Sequence, residues 1–125
     1  LRSLGHPYED FGTSSNESTD YPDYAHKVAE SVSSGKAMLG ILICGTGIGM
    51  SIVANKHKGI RAANVESIEA ARMARTHNNA NILAIGARLT TWETAREIIK
   101  TVLAGSFEGG RHQRRVDKIH RLTNL

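Results

Sequence analysis

An uninterrupted apolar run, Gly40–Cys44, leads directly into a glycine-rich turn at residues 45–49. A short apolar run bounded by turn residues is typical of a strand that is buried on both faces of a parallel sheet. Because helices cover both faces of such sheets, this run favours an α/β fold. The composition agrees, since 40% of the residues are hydrophobic and only 5% are aromatic, which leaves mainly aliphatic side chains to build the core.

Strand and helix patterns alternate along the rest of the chain. The sequence predicts strands at 7–11, 40–44, 60–65 and 82–85, and helices at 21–35, 48–55, 67–77, 91–104 and 111–122. Strands and helices in alternation, joined by short loops, predict a three-layer α/β/α sandwich with a parallel sheet. We expect one domain that spans residues 1–125.

The first residues have the pattern of the end of a structural element. Leu1 to Gly5 resembles the last turn of a helix with a glycine stop, and the sequence does not open with Met. We therefore expect the sequence to begin inside an element.

Cysteine content and hydropathy limit the environment and the chemistry. The single cysteine, Cys44, excludes an intramolecular disulfide and a multi-cysteine zinc site, and a lone thiol fits a reducing compartment. No apolar run approaches the roughly 20 residues of a membrane span, and no segment has the pattern of a signal peptide. No two histidines have metal-ligand spacing with other ligands. We expect a cytoplasmic protein without a membrane partner or a metal site.

The positive charge is concentrated near the carboxyl terminus. The net charge is +4, and residues 106–125 carry five Arg or Lys against two acidic residues. Such an excess implies an anionic partner, either nucleic acid or a phosphate on a small substrate. The rest of the chain is nearly balanced, and aromatic residues are too sparse for stacking on single strands, so the smaller anion is favoured.

The glycine-rich turn is the strongest candidate site. Ligands of α/β proteins bind beyond the carboxyl ends of strands, where glycines allow close backbone approach and a helix N-terminus offers N–H groups. A cysteine in such a place is a candidate base or nucleophile. Two alternatives remain open: Cys44 as a small core residue, and a dinucleotide site with Glu66 as the ribose-binding acid. The spacing G-x-G-x-G, rather than G-x-G-x-x-G, weakens the second alternative.

Three other features could bind a substrate, each with a plain structural alternative. Arg111 and Arg115 share a helix face and could grip one phosphate, or form part of a solvated basic face. His77 could transfer protons near neutral pH, or could bind the last carbonyls of its helix. Arg88 could contact a substrate or be an exposed loop residue.

Several motifs in order resemble ribose-5-phosphate isomerase B, and the resemblance covers essentially the whole chain. The motifs are 20–22 (DYP), 41–51 (ILICGTGIGMS), 54–56 (ANK), 59–63 (GIRAA), 75–81 (RTHNNAN), 86–88 (GAR) and 107–116 (FEGGRHQRRV). The related galactose-6-phosphate isomerase subunits share part of the glycine loop, but the His-Asn and Gly-Gly-Arg-His motifs resemble the ribose enzyme more.

The resemblance implies a metal-free, cofactor-free aldose–ketose isomerase of the pentose phosphate pathway. Cys44 would take the proton from C2 of the open-chain sugar and return it at C1 through a cis-enediolate, while Thr46 steadies the thiolate. His77 would open the furanose ring. The implied substrate-binding residues are Gly45, Thr46, Gly47, Ile48, Gly49, Asn78, Arg88, Arg111 and Arg115.

The resemblance also implies a Rossmann-like fold and a homodimer, or a dimer of dimers, with active sites shared between subunits. The family fold has five strands, and its first strand, an Asp-His pair and most of the first helix have no counterpart here. We therefore expect this stretch alone to be unstable or inactive. Alternatives are an isomerase of a six-carbon sugar phosphate (allose or galactose 6-phosphate), a non-catalytic nucleotide-binding Rossmann-like module and a degenerate subunit.

Overall fold

The computed structural model describes residues 1–125 and contains a three-stranded parallel sheet with strand order β1-β3-β2. The strands are β1 (Gly40–Cys44), β2 (Ala62–Asn64) and β3 (Ile82–Gly86). The helices are α1 (Tyr21–Ser33), α2 (Ile48–Ala54), α3 (Ile68–Asn78), α4 (Trp92–Ala104) and α5 (Arg111–Thr123). Both edge strands pair in parallel with β3, with Cys44 opposite Gly86 and Asn64 opposite Ala84.

The central strand β3 divides the core into two halves. Its side chains alternate, so that Ile82 and Ala84 pack with residues of α1 and α2, whereas Leu83 and Ile85 pack with residues of α3 and α4. All five residues of β3 are buried. The predicted three-layer α/β/α sandwich with a parallel sheet is confirmed.

The helix boundaries follow local signals in the sequence. Ser67 caps α3 and Thr91 caps α4, because each side-chain oxygen accepts a hydrogen bond from the backbone N–H three residues later. Pro22 lies in the first turn of α1, where its missing N–H costs no intrahelical bond. No helix combines the length and the apolar character that a membrane crossing requires.

Two strand predictions were wrong in part. Strand β1 is not buried on both faces, because it lies at an edge of the sheet and Ile43 is 53% exposed. Residues 7–11 form no strand, since they pair with no other strand. An apolar or alternating pattern indicates that a segment tends to be buried, but the segment pairs as a strand only where another strand lies beside it. Residues 1–5 do form a helical turn that ends at Gly5 in the left-handed conformation, as predicted.

Candidate active site

The thiol of Cys44 lies at the carboxyl end of β1 and accepts a hydrogen bond from the N–H of Gly47, with an N···Sγ distance of 3.1 Å. The residue is partly exposed, and one side of it packs against the core between the sheet and α1 and α2. Cys44 is therefore not sealed in the interior.

The glycine loop crosses directly over the end of β3. A Cβ atom at Gly86 would lie 2.6 Å from the carbonyl carbon of Thr46, so only glycine fits beneath the loop. Gly47 has a φ of 78°, which favours glycine, and a Cβ there would meet the Oδ1 of Asn64 at 2.5 Å. Close backbone contact thus fixes the loop that carries the candidate site.

The guanidinium of Arg88 lies beside this loop. The N–H of Ala87 donates to the carbonyl of Cys44 (2.8 Å), and the N–H of Arg88 donates to the carbonyl of Gly45 (3.0 Å). The side chain of Arg88 is exposed and would lie 3.4 Å from a Cβ at Gly45. We call Cys44, residues 45–49 and Arg88 the glycine-loop cluster.

Only some of the predicted N–H donors of the loop are free. The N–H of Gly47 is taken by the thiol, and that of Ile48 donates to the Oγ1 of Thr46 at 3.2 Å. The N–H groups of Gly45, Thr46 and Gly49 have no acceptor within the chain. The Thr46 hydroxyl oxygen therefore braces the loop, and the hydrogen bond to sulfur comes from a backbone amide.

A second group of side chains surrounds the predicted residue His77, which lies in the last turn of α3. Its ring is stacked on the ring of His112, with 4.3 Å between centroids and 9° between planes. An Oε2 atom of Glu108 lies 3.9 Å from the Nε2 of His77 and 3.7 Å from the Nε2 of His112. We call His77, Glu108 and His112 the histidine cluster.

Burial lowers the pKa of His112 below its ordinary value, and the positive charges of His77, Arg111 and Arg115 lower it further, while Glu108 opposes them. Arg111 and Arg115 are exposed on the first turns of α5 and form no ion pair within the chain. Both guanidinium groups therefore lie close enough to His112 to influence its protonation.

The histidine cluster has the composition of a metal site, and its ligand atoms lie within 4.8 Å of one another. A metal ion lies close to the plane of each imidazole that binds it, whereas two parallel stacked rings share no plane. One of the rings would have to rotate before both could bind one ion. The arrangement favours proton sharing over metal binding.

Asn78 belongs to neither the glycine-loop cluster nor the histidine cluster. It is exposed at the end of α3 and borders a cavity of about 230 Å³, together with Asn55, Arg61 and Ile119. Burial and the nearby charge of Arg75 lower the pKa of Arg61.

The two clusters lie at opposite ends of the strands. The glycine-loop cluster lies at the carboxyl ends, and the histidine cluster lies at the amino ends. Cys44 ends β1 at the carboxyl edge, whereas α3 runs back along the sheet and places His77 beside the start of β3. The length of β3 separates the two ends of the sheet by about 13 Å. A single copy of the chain therefore does not bring the predicted base and the predicted ring-opening acid together.

Four neighbours of the site received no role from the sequence. Glu108 and His112 belong to the motif around Arg111, but no spacing rule indicated their contact with His77. The ring of Tyr21 packs on Gly49, where a Cβ would lie 2.5 Å from its Cζ, and Asn64 closes over Gly47. The sequence motifs include Tyr21, Glu108 and His112 but not Asn64, and only the fold reveals what these residues contact.

The topology does not support the dinucleotide alternative. In dinucleotide-binding folds the acid that binds the ribose follows the strand next to the glycine-loop strand. Here Glu66 follows β2, and β3 lies between β2 and β1.

Comparison with known proteins defines the class. The family model described as Ribose/Galactose Isomerase matches residues 1–119, and the chain belongs to this family. Ribose-5-phosphate isomerase B of Escherichia coli (strain K12) is 50% identical over 110 residues, which are 88% of this chain and 74% of that protein.

Two further relatives bear on the ligand. Ribose-5-phosphate isomerase B of Mycoplasma genitalium, solved with bound ribulose-5-phosphate, matches with a TM-score of 0.94 and 43% identity over 98% of this chain and 82% of its own. D-erythrulose-4-phosphate isomerase of Pectobacterium atrosepticum is 50% identical over 103 residues, which are 82% of this chain and 68% of that protein.

Proposed function

We propose that this chain is an aldose–ketose isomerase that interconverts ribose 5-phosphate and ribulose 5-phosphate with Cys44 as the base. The observation that carries the proposal is a partly exposed thiol, hydrogen-bonded by a backbone amide and surrounded by free N–H groups, in a chain of this family. The bound ribulose-5-phosphate of the Mycoplasma relative supports the choice of substrate.

In this mechanism the Cys44 thiolate removes the proton from C2 of the open-chain aldose and returns it at C1. The N–H of Gly47 stabilises the thiolate, because a hydrogen bond to an ionised acceptor is strengthened. The free N–H groups of Gly45, Thr46 and Gly49 bind the oxygen on which negative charge develops in the enediolate.

The remaining steps require a second copy of the chain. His77 opens the furanose ring, Asn78 binds the sugar, and Arg111 and Arg115 bind the phosphate, while Arg88 belongs to the glycine-loop cluster. Because the sheet separates His77 from Cys44 within one copy, we place the two clusters of one active site on two subunits of a homodimer, which can pair further into a dimer of dimers.

Other parts of the proposal rest on the sequence. Residues 1–125 form one sugar-phosphate isomerase domain, and the lone thiol fits a cytoplasmic location. The Pectobacterium relative is named for a four-carbon sugar phosphate, D-erythrulose 4-phosphate, so the sugar length that this chain prefers has to be measured. Assays with four-, five- and six-carbon sugar phosphates rank the substrates, and the highest kcat/KM with a four- or six-carbon compound would replace ribose 5-phosphate.

The base is tested by Cys44→Ala. Loss of the proton-transferring group should lower kcat by about 10³-fold or more, since general acid–base catalysis contributes 10²- to 10⁴-fold. The control is Ser14→Ala in the exposed loop before α1. Binding of ribulose 5-phosphate, measured by calorimetry, should survive in both variants, and full activity in Cys44→Ala would remove Cys44 as the base.

The shared site is tested by mixing two inactive variants, Cys44→Ala and His77→Asn. In mixed dimers one of the two sites has both native residues, so random exchange of subunits should restore about a quarter of the native activity. Each variant mixed with itself is the control. Mixtures that exchange subunits, shown by native mass spectrometry, but stay inactive would contradict the shared site.

A further inference from the structure

Glu108 is held over the end of α3 by its own backbone. Its N–H donates to the carbonyl of Thr76, the residue before His77, with an N···O distance of 3.0 Å. This bond keeps the carboxylate near the rings of His77 and His112, at 3.9 Å and 3.7 Å from their Nε2 atoms. The carboxylate thus lies within reach of both rings, and a small movement suffices for a hydrogen bond to either.

The two stacked rings differ in their surroundings. His112 is buried, with 11% of its side chain exposed, whereas 35% of the His77 side chain is exposed. Two stacked imidazolium ions would repel each other, so the pair holds one proton more easily than two. The more exposed ring, His77, is the better place for that proton because solvent can stabilise it.

The charged groups around the two rings also favour a proton on His77 rather than on His112. Arg111 and Arg115 on α5 disfavour a proton on His112. On α3, Glu69 interacts with His77, and Arg72 interacts with Glu108 while binding Glu69. The carboxylates of Glu69 and Glu108 thus both attract positive charge on the pair.

We infer that Glu108 and His112 are positioning residues for ring opening: Glu108 holds the protonated ring of His77, and His112 supports that ring as a neutral stacked partner. This inference rests on the proposed function. In the step itself, His77 gives its proton to the ring oxygen as the C1–O bond of the furanose breaks. The proton of the C1 hydroxyl leaves to water, from which His77 is protonated again.

The chemistry of the two sugars allows this step to be isolated. Ribose 5-phosphate is mainly a closed furanose, whereas ribulose 5-phosphate has no free hydroxyl with which to form one. Exchange of its C1 proton with deuterated water therefore reports proton transfer by Cys44 without ring opening. Net conversion to ribose 5-phosphate, and the reverse reaction, include the ring step.

The first test is Glu108→Gln, with Glu17→Gln in an exposed loop as the matched control. We expect net conversion to fall about 10-fold in both directions, at the low end of acid–base effects, while C1 exchange stays within about twofold of the wild type. An equal loss of exchange and conversion, or no loss of either, would overturn the inference.

The second test needs no turnover. In an NMR titration the pKa of His112 should be lower still in Glu108→Gln, because the one group that raises it is lost. It should rise in His77→Asn, because a positive neighbour is lost. A His112 titration that neither change moves would overturn the coupling of the pair. If the complete wild-type protein neither converts nor exchanges ribulose 5-phosphate, the proposed function is refuted instead, and this titration still tests the cluster.

Discussion

The glycine-loop cluster and the histidine cluster are built in different ways. Backbone hydrogen bonds and glycine contacts between the segments that follow β1 and β3 hold the first, as the bonds from Ala87 and Arg88 to the loop show. Side chains from separate segments hold the second, through the stacked rings of His77 and His112. The loop is therefore expected to tolerate little change in backbone space, whereas the histidine cluster depends on charge and protonation.

The sharpest test of this difference is Gly86→Ala. The new Cβ would lie 2.6 Å from Thr46 backbone atoms, so the loop must move, at a cost of about 1–3 kcal/mol in the free energy of unfolding. Activity should fall with it, because the amide that binds the thiol is displaced. Urea unfolding and kinetics measure both effects.

Gly45→Ala is the matched control for this prediction. A Cβ there would touch only the Arg88 side chain, at 3.4 Å, which can move away. If the two glycine variants lose stability and activity equally, the close approach at Gly86 does not explain its effect.

Beside the histidine cluster, the loss of one positive charge should weaken binding of the sugar phosphate. Arg111→Gln should raise KM about 10-fold with a smaller change in kcat, because one bidentate donor to the phosphate is lost. Arg114→Gln on the same helix is the control, since Arg114 is exposed and is not among the predicted substrate-binding residues. Steady-state kinetics with ribose 5-phosphate compare them, and equal effects would show that helix charge alone matters.

The smallest expected effect is the pH dependence from His112. Its pKa is lowered in the fold, so the unfolded chain takes up the proton first, and stability falls as the pH drops below about 6.5. Replacement by Gln should flatten this fall between pH 7.5 and 5.5 in urea unfolding. His6→Gln in the exposed N-terminal segment is the control. An unchanged slope in the His112 variant would contradict the assignment.

Local signals in the sequence were enough for most elements. Ser67 and Thr91 mark helix starts, and the apolar run before the glycine turn marks β1, because capping and turn chemistry act between neighbours in the chain. The glycine loop and Arg88 could be predicted to meet for a related reason. Both follow strand ends, and parallel strands end at one edge.

The layers of the fold, the family motifs and the glycine-loop cluster could be predicted, since each depends on short stretches of chain and on the direction of parallel strands. Three features appear only in the folded chain: Ile43 lies at an open edge of the sheet, Glu108 lies near both His77 and His112, and His77 and Cys44 lie at opposite ends of β3. The reason is physical: strand order and side-chain contacts between distant segments arise from packing of the whole chain, which no local pattern records.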